Sequence, residues 1–247
     1  MNRRGTPRNV SGNAASRIEG MVLSVSSSPV TVTCKGVLFD MDGILISSIG
    51  SVERSWSRWA LMRGVDPDYA LSVIHGRRTI DSVRTLRPDL DDESETRIVE
   101  DFEIEDTDGL VVLPGVCELI ERLPLGCWTV VTSATDRLAR VRLATAGIPV
   151  PDRLVTAETV LEGKPSPAPY LAGAELVGVD PAHCVVFEDA ASGVAAGRAA
   201  GCIVIATTFS HPTERLKEAD YIVADLIGIE VHRAGDVIEL RFFPLVR

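Results

Sequence analysis

Short apolar runs alternate along much of this chain with segments whose apolar residues recur every three to four positions, and this alternation strongly constrains the fold. Five runs have the character of buried strands: residues 37–39, 127–131, 153–156, 184–187 and 202–206. Helical periodicity lies between them, in residues 115–123, 136–146, 168–177 and 190–200. The alternation predicts an α/β fold with a doubly wound parallel sheet, in which ligands bind beyond the carboxyl ends of the strands.

The alternation is interrupted between the first two apolar runs. Helical periodicity replaces it around residues 51–63, 67–74, 79–86 and 94–102. An insertion rooted beside a strand end is placed to cover the ligand site, and we expect hinges near 46–50 and 111–114. We divide the chain into a flexible N-terminal leader (1–33), an α/β core (34–49 and 113–228), a helical cap (50–112) and a C-terminal extension (229–247) whose residues 237–242 alternate like an edge strand.

Charge and cysteine content argue against several classes of protein. With 35 acidic and 25 basic residues the formal net charge is -10, which disfavours binding to nucleic-acid phosphates. No run approaches the ~18 apolar residues that a membrane-spanning helix needs. The five cysteines are widely spaced and include no Cys-x-x-Cys pair, a pattern typical of free thiols in a reducing compartment. We expect a cytoplasmic protein, a monomer or weak dimer, that binds neither nucleic acid nor membrane.

Polar side chains follow the predicted strands at the points where they end. Asp40 and Asp42 follow the first run, Ser133 follows the second, Lys164 lies in the loop after the third, and Glu188 and Asp189 follow the fourth. Each motif alone has an ordinary explanation as a turn, a helix cap or a solvated residue. Their occurrence in this order, each at a strand end or in the following loop, indicates one shared site.

These residue types suit phosphoryl transfer, which needs a nucleophile, a proton donor for the leaving oxygen and neutralisation of the phosphate charge. Of Asp40 and Asp42, one carboxylate can attack phosphorus and bind metal while the other transfers the proton. Ser133 can donate a hydrogen bond to a phosphate oxygen, and Lys164 supplies the positive point charge that the acidic surface otherwise lacks. Mg²⁺ prefers oxygen ligands, which carboxylates provide. The predicted metal ligands and their supporting neighbour are Asp40, Asp42, Asp189 and Glu188.

The chain resembles the haloacid dehalogenase superfamily, in the branch with a helical cap after the first strand of a Rossmann-like core. The resemblance covers residues 35 to about 225 and rests on Asp40-Met41-Asp42-Gly43, Val131-Thr132-Ser133, Gly163-Lys164-Pro165-Ser166-Pro167 and Val186-Phe187-Glu188-Asp189-Ala190-Ala191-Ser192-Gly193. It implies that Asp40 forms an aspartyl-phosphate and that Asp42 acts as general acid and then as general base. It also implies that Asp40, the backbone carbonyl of Asp42, and Asp189 hold Mg²⁺.

Two positions depart from the common pattern of the superfamily. Ile44 stands where many relatives have threonine, and an apolar residue is tolerated there. Ser47 stands where many relatives have aspartate, which removes a carboxylate near the predicted hinge. These departures leave the implied catalytic set intact and concern the packing of the cap and the substrate contacts.

The superfamily includes several reactions, and the residues favour a phosphatase. A dehalogenase typically lacks the second aspartate of the first motif, and a phosphonatase of this type needs a cap lysine, which residues 50–112 do not contain. A sugar phosphomutase of the β-phosphoglucomutase type remains the alternative, although Thr79 stands where its cap arginine would fall. A third hypothesis is a catalytically silent binding protein of the same fold, against which the complete set of site residues argues.

The cap loop from His75 to Asp81 resembles that of phosphatases acting on glycerol phosphate, deoxyglucose phosphate and other small sugar phosphates. The resemblance implies a small phosphorylated sugar or polyol as substrate. Arg77 and Arg78 are candidate substrate contacts, although an arginine pair at a helix start is often simply solvated. Glu53 and Trp56, one helical turn apart, are predicted to face the cleft, with cap core as the other explanation for Trp56.

Overall fold

The structure is a computed structural model and describes residues 24–74 and 77–246. The leader prediction for residues 1–23, and His75 in the cap loop, lie outside the described residues. The strands are β1 (Ser24–Val25), β2 (Val30–Cys34), β3 (Gly36–Phe39), β4 (Ile46–Ser47), β5 (Val111–Val112), β6 (Trp128–Val130), β7 (Cys184–Glu188), β8 (Ile203–Thr207), β9 (Tyr221–Val223), β10 (Glu230–Ala234), β11 (Val237–Phe242) and β12 (Leu245–Val246). The helices are α1 (Ile49–Arg63), α2 (Pro67–Ile74), α3 (Thr79–Leu86), α4 (Asp92–Glu105), α5 (Val116–Arg122), α6 (Asp136–Thr145), α7 (Ala168–Val177) and α8 (Ala191–Ala199), with 3-10 turns at Pro181–His183 and Thr213–Arg215.

A five-stranded parallel sheet in the order β6-β3-β7-β8-β9 forms the centre of the molecule. Successive residues of a strand point to opposite faces, and both faces are covered here. Phe39 and Phe187 stack on one face, in the hydrophobic cluster that includes α5 and α6. Leu38 and Val186 lie on the other face, in the cluster that includes α7 and α8. The predicted doubly wound sheet is confirmed.

The apolar run at 153–156 does not form the predicted strand. Only Val155 pairs with the sheet, through a single bridge to Val131 beyond β6. The chain turns immediately afterwards, because the backbone N–H of Thr156 donates to the side chain of Thr159 and the N–H of Thr159 returns to the Thr156 carbonyl. The turn leaves too few consecutive extended residues for a ladder.

The two ends of the described chain form a second sheet, contrary to the predicted leader and extension. Strand β11 is the central strand of an antiparallel sheet in the order β10-β11-β2. Its alternation buries Ile238, Leu240 and Phe242 in the cluster that also holds Val32 of β2. Residues 30–33 are therefore part of the fold. Local periodicity identified a possible strand at 237–242 but could not reveal a partner some 200 residues earlier.

Helices α1 to α4 lie between β4 and β5, as the predicted insertion requires. They have their own hydrophobic cluster, in which Trp56 and Trp59 meet edge to face with ring centroids 5.4 Å apart. Strands β4 and β5 pair with each other where the two hinges were expected. The chain thus enters and leaves the insertion through one short antiparallel ribbon.

Two expectations from composition, on the cysteines and on membrane-spanning helices, can be compared with the structure. All five cysteines lie within the described residues and have free thiols, as the spacing predicted. Within residues 24–74 and 77–246, every helix is too short or too polar to cross a membrane.

Leu240→Ala tests whether the C-terminal segment is part of the core. Leu240 is fully buried, and its truncation leaves a cavity, so we expect the free energy of unfolding to fall by about 2–5 kcal/mol. Leu125→Ala is the matched control, because Leu125 is fully exposed and should change stability by no more than about 0.5 kcal/mol. Urea unfolding measures both. Equal effects of the two substitutions would show that residues 237–242 are a peripheral extension.

Candidate active site

Asp40 follows β3 and lies at the carboxyl end of the parallel sheet. Its backbone N–H donates to the carbonyl oxygen of Phe187 at an N–O distance of 3.0 Å, which continues the ladder between β3 and β7. Because Phe39 pairs with Phe187, Asp40 lies beside Glu188 and Asp189. All three carboxylates are buried. The structure thus brings the carboxylates of two strands to one edge of the sheet, where the sequence had placed them.

The ammonium group of Lys164 joins the strands at this edge. It donates to Asp40 Oδ1 at 2.5 Å, to Glu188 Oε1 at 2.6 Å and to the backbone carbonyl of Val131 at 3.2 Å. Burial by itself lowers the pKa of Lys164, but the carboxylates of Asp40 and Glu188 outweigh it and hold that pKa above its ordinary value. Lys164 is therefore a charged group that links β3, β6 and β7.

Glu188 has both carboxylate oxygens occupied by donors. Oε1 accepts from Lys164 and, at 2.7 Å, from the hydroxyl of Tyr170. Oε2 accepts from the backbone N–H groups of Asp189 and Ala190 at 2.9 and 3.0 Å. A carboxylate with four donors is well suited to hold its neighbours in place. Glu188 was predicted together with the metal ligands, and its four contacts favour the role of their supporting neighbour.

The acidic cluster contains more carboxylates than cations. One carboxylate oxygen from each of Asp40, Glu188 and Asp189 lies within 4.8 Å of the others, and Lys164 donates to two of the three, Asp40 and Glu188. Burial, together with the charge of Glu188, raises the pKa of Asp189 to about 7. Burial likewise raises the pKa of Asp40, although Lys164 opposes it. Three buried carboxylates around one ammonium fit a divalent cation with oxygen ligands.

Asp189 is held against the loop that carries Asp42. A Cβ at Gly43 would stand 1.8 Å from Asp189 Oδ2, and Gly43 has a φ of +88°, so the turn needs glycine for both space and conformation. On its other side Asp189 receives a side-chain hydrogen bond from Ser210, and its carbonyl lies 3.1 Å from His211 Nδ1. The loop after β8 therefore contributes to the site, and no sequence motif had indicated this.

The carboxylate of Asp42 lies apart from the cluster of three. Its Oδ1 accepts from the hydroxyl of Ser48 at 2.6 Å, and Arg142 Nη1 donates to Oδ1 and Oδ2 at 3.1 and 3.0 Å. Asp42 and Arg142 both line the cavity described below. The Asp42 carboxylate is therefore held by Arg142 and Ser48 and is not part of the cluster of three.

Arg142 also binds the helical insertion. Its Nη2 donates to Glu103 Oε2 of α4 at 3.0 Å, and the side chains of both residues are almost completely buried. Burial raises the pKa of Glu103 to about 7; the charges of Asp42 and Glu100 act in the same direction, while Arg142 and a hydrogen bond from Trp56 oppose them. One buried arginine thus pairs with the buried carboxylate of Glu103 and the half-buried carboxylate of Asp42.

The sequence contains an indication that Arg142 is a buried, paired residue, although it was not predicted. Within the apolar stripe of α6, Leu138, Ala139 and Leu143 are buried, and Arg142 occupies the same face. An arginine in a buried stripe needs an anionic partner. No local pattern identifies that partner as Asp42, which is 100 residues away.

A cavity of about 150 Å³ opens between the sheet edge and the insertion. Its floor is formed by Asp40, Asp42, Ser133, Lys164, Glu188 and Asp189, and its roof by Ile49, Val52, Trp56, Ile74, Arg77 and Thr79. The strand-end residues predicted from the sequence are therefore brought together. The insertion side is mostly apolar, with Arg77, Thr79 and Glu103 as its polar residues, so it contrasts with the charged floor.

The two cap arginines have different environments. Arg77 lines the cavity, and its Nη2 donates to the Thr85 hydroxyl at 3.1 Å. Arg78 instead pairs with Asp81 at 2.7 Å and donates to the carbonyl of Leu161 at 3.0 Å. Arg78 therefore ties the start of α3 to the loop before Lys164, and it is not among the residues that line the cavity.

Glu53 was predicted to face the cleft, but the structure places it elsewhere. Val52 and Trp56, four residues apart, point into the cavity. Glu53 is turned about 100° around the helix from Val52 and is exposed on the outer face of α1, beside a shallow surface depression. The prediction that Glu53 faces the cleft is wrong because the packing of the tryptophans of α1 determines which side of that helix faces the cavity.

The parallel sheet, the buried carboxylate–lysine set beyond its strand ends and the inserted helices together define a Rossmann-like α/β protein with a helical insertion over its candidate site. The chain belongs to the haloacid dehalogenase-like hydrolase family, whose profile matches residues 34–201. Hexitol phosphatase A of Escherichia coli is 43% identical over 212 residues, which cover 83% of this chain and 98% of that protein. Glycerol-1-phosphate phosphohydrolase 2 of Saccharomyces cerevisiae is 33% identical over 223 residues, with 85% and 89% covered.

Among solved structures, β-phosphoglucomutase from Clostridium difficile superposes with a TM-score of 0.67 at 18% identity, covering 80% of this chain and 93% of that chain. At this identity the likeness shows the fold alone. The family and its named phosphatase relatives confirm the prediction of a phosphatase, a hydrolase of phosphoric monoester bonds.

Gly193→Ala tests the anchoring of Glu188. A Cβ at Gly193 would stand 1.6 Å from Glu188 Oε1, the oxygen that holds Lys164, so the substitution must displace that side chain. We expect the free energy of unfolding to fall by about 1–3 kcal/mol, and phosphomonoester hydrolysis to fall at least about tenfold.

Gly50→Ala is the matched stability control, because its Cβ would meet only the flexible end of Arg54. Thermal unfolding and phosphate release measure the two effects. An active, fully stable Gly193→Ala protein would show that Glu188 is not a required anchor.

Proposed function

We propose that this phosphatase is Mg²⁺-dependent and hydrolyses small sugar or polyol phosphate monoesters through an aspartyl-phosphate on Asp40. The observation that carries the proposal is the buried set of Asp40, Lys164, Glu188 and Asp189 on the floor of a cavity roofed by the insertion. In this proposal α1 to α4 act as the cap of the α/β core. Their hinge is the ribbon formed by β4 and β5.

Asp40 is the proposed nucleophile. Lys164 binds Oδ1, which leaves Oδ2 to attack phosphorus and expel the alcohol oxygen. The hydroxyl of Ser133, also on the cavity floor, is placed to donate to a phosphate oxygen. Lys164 and Ser133 then share the stabilisation of negative charge on the transferring group, which is the main catalytic demand of phosphoryl transfer.

Asp42 is the proposed proton carrier. It gives a proton to the leaving alcohol oxygen as the bond between phosphorus and that oxygen breaks. It then takes a proton from the water that attacks the aspartyl-phosphate, so that phosphate leaves and the carboxylate of Asp40 is restored. Its position on the cavity wall, apart from the cluster of three, suits a group that handles protons and leaves metal binding to others.

Asp40, Asp189 and the backbone carbonyl of Asp42 would hold Mg²⁺, with Glu188 as the supporting neighbour. When bound, the cation supplies positive charge that neutralises the phosphate oxygens. The excess of buried negative charge at this cluster, and the close approach of Asp189 to Gly43 beside Asp42, support this ligand set.

The substrate class follows from the relatives and the roof of the cavity. Relatives at 43% and 33% identity are a hexitol phosphatase and a glycerol-1-phosphate phosphohydrolase. The roof offers Arg77 and Thr79 as polar contacts for hydroxyl groups, within a cavity that suits a small molecule. The likeness to β-phosphoglucomutase concerns the fold and is not evidence of mutase activity. In addition, Thr79 in the roof stands where a mutase is expected to have an arginine. We also propose that the enzyme acts in the cytoplasm, where free thiols persist.

Asp40→Asn tests the nucleophile. The amide cannot form the aspartyl-phosphate, so we expect phosphate release from p-nitrophenyl phosphate to fall at least about 1000-fold while the protein stays folded. Asp236→Asn, at an exposed carboxylate, is the matched control and should retain activity. Chelation of divalent metal should abolish wild-type turnover, and added Mg²⁺ should restore it.

Undiminished turnover by Asp40→Asn would exclude the proposed nucleophile. An inactive wild type would favour the binding-protein hypothesis, and transfer of phosphate to a second position of the sugar without release would favour a mutase.

Arg77→Ala tests the substrate assignment. Because Arg77 lines the cavity and Arg97 is exposed on α4, we expect Arg77→Ala to reorder a panel of C3 to C6 phosphate esters by about tenfold in kcat/KM, and Arg97→Ala to leave the order unchanged. The rate with p-nitrophenyl phosphate, which has no hydroxyl groups to bind, should change less. An unchanged ranking would place substrate selection outside the cap loop.

A further inference from the structure

A buried ion network joins the cavity wall to the helical insertion through Arg142. The guanidinium belongs to α6 of the core, and its side chain retains only 4% of its accessible surface. Nη1 binds both oxygens of Asp42, and Nη2 binds Glu103 of α4. Its Nε has no hydrogen-bond partner among residues 24–74 and 77–246. Burying an arginine with one donor unsatisfied is costly, so its remaining contacts must be strong to retain it there.

The geometry constrains Asp42 more than a salt bridge alone would. Arg142 reaches both carboxylate oxygens from one side, and the Ser48 hydroxyl of the hinge reaches Oδ1 at 2.6 Å. These donors leave the carboxylate little freedom to rotate. A planar guanidinium is itself held by packing and by Glu103, so it acts as a fixed support that a flexible ammonium could not replace.

The same arginine contacts the roof of the cavity through one intermediate. Glu103 accepts from Arg142 and, on its other side, from Trp56, which lines the roof. The orientation of Asp42 therefore depends on residues of the core, the hinge and the insertion at once. A group that transfers a proton must lie within hydrogen-bonding reach of the reacting oxygen.

We propose that Arg142 is a positioning residue for proton transfer: it holds the carboxylate of Asp42 where the leaving oxygen of the substrate is protonated. The inference rests on the proposed function, because it requires that Asp42 is the proton carrier of the reaction. Arg142 forms no bond to substrate in this proposal, and it acts through Asp42.

The dependence on the leaving group separates positioning from a purely structural role. The alkoxide of glycerol 1-phosphate needs a proton as it leaves, whereas p-nitrophenolate leaves readily without one. Arg142→Met should therefore lower kcat/KM for glycerol 1-phosphate by about 100-fold and that for p-nitrophenyl phosphate by less than about fivefold. A variant that is merely loosened or partly unfolded loses both activities by the same factor.

The test includes a variant that keeps the protein stable. Removing Arg142 alone leaves buried carboxylates unpaired, whereas Arg142→Met with Glu103→Leu replaces the pair by apolar side chains, a change that is often neutral for stability. The double variant should regain the wild-type melting temperature and keep the unequal loss of the two activities. Arg137→Met is the matched control, because Arg137 joins the same two helices through an exposed pair with Asp101 and does not contact Asp42. It should leave the ratio unchanged.

The outcomes distinguish the two proposals. Equal losses for both substrates, or a double variant with wild-type hydrolysis of glycerol 1-phosphate, would overturn the role of Arg142. The proposed function would not be affected by either result. A wild type that hydrolyses neither substrate, or an Asp40→Asn protein that hydrolyses both, would overturn the proposed function and the role of Arg142 with it.

Discussion

The contact between the Lys164 ammonium and the carboxylates of Asp40 and Glu188 is the interaction on which the site depends. A buried ammonium is stable only where paired anions repay its loss of hydration, and here they lie at the ends of two adjacent strands. The hydrogen bond from Lys164 to the carbonyl of Val131 also links the ammonium to β6, the strand at one edge of the sheet. Lys164 thus orients the proposed nucleophile, neutralises part of the acidic cluster and joins the loop before α7 to the central sheet.

Arg142 repeats this principle at the other side of the cavity. There too a buried cation lies between carboxylates from different parts of the chain, with Asp42 on the core and Glu103 on the insertion. Each of these two cations is paired with carboxylates that line the cavity, so together they offset part of the negative charge there in a chain whose net charge is -10.

Sequence patterns predicted the parts of the fold that depend on local periodicity. The four cap helices and four core helices appear close to their expected positions, and four of the five apolar runs form strands of the parallel sheet. The run at 153–156 failed because a turn at Thr156 ends it. Strand β2 was missed because its alternation is only five residues long and its partner β11 lies near the other end of the chain.

The sequence by itself determined that Asp40, Ser133, Lys164 and Asp189 would meet, because a parallel sheet brings the carboxyl ends of its strands to one edge. Only the tertiary structure decided what each side chain does there. It turned Asp42 towards Arg142, directed Arg77 into the cavity and Arg78 onto Asp81, and placed Glu53 outside. The physical reason is that periodicity reports whether a residue is buried, whereas the choice of partner depends on the packing of helices and loops distant in the chain.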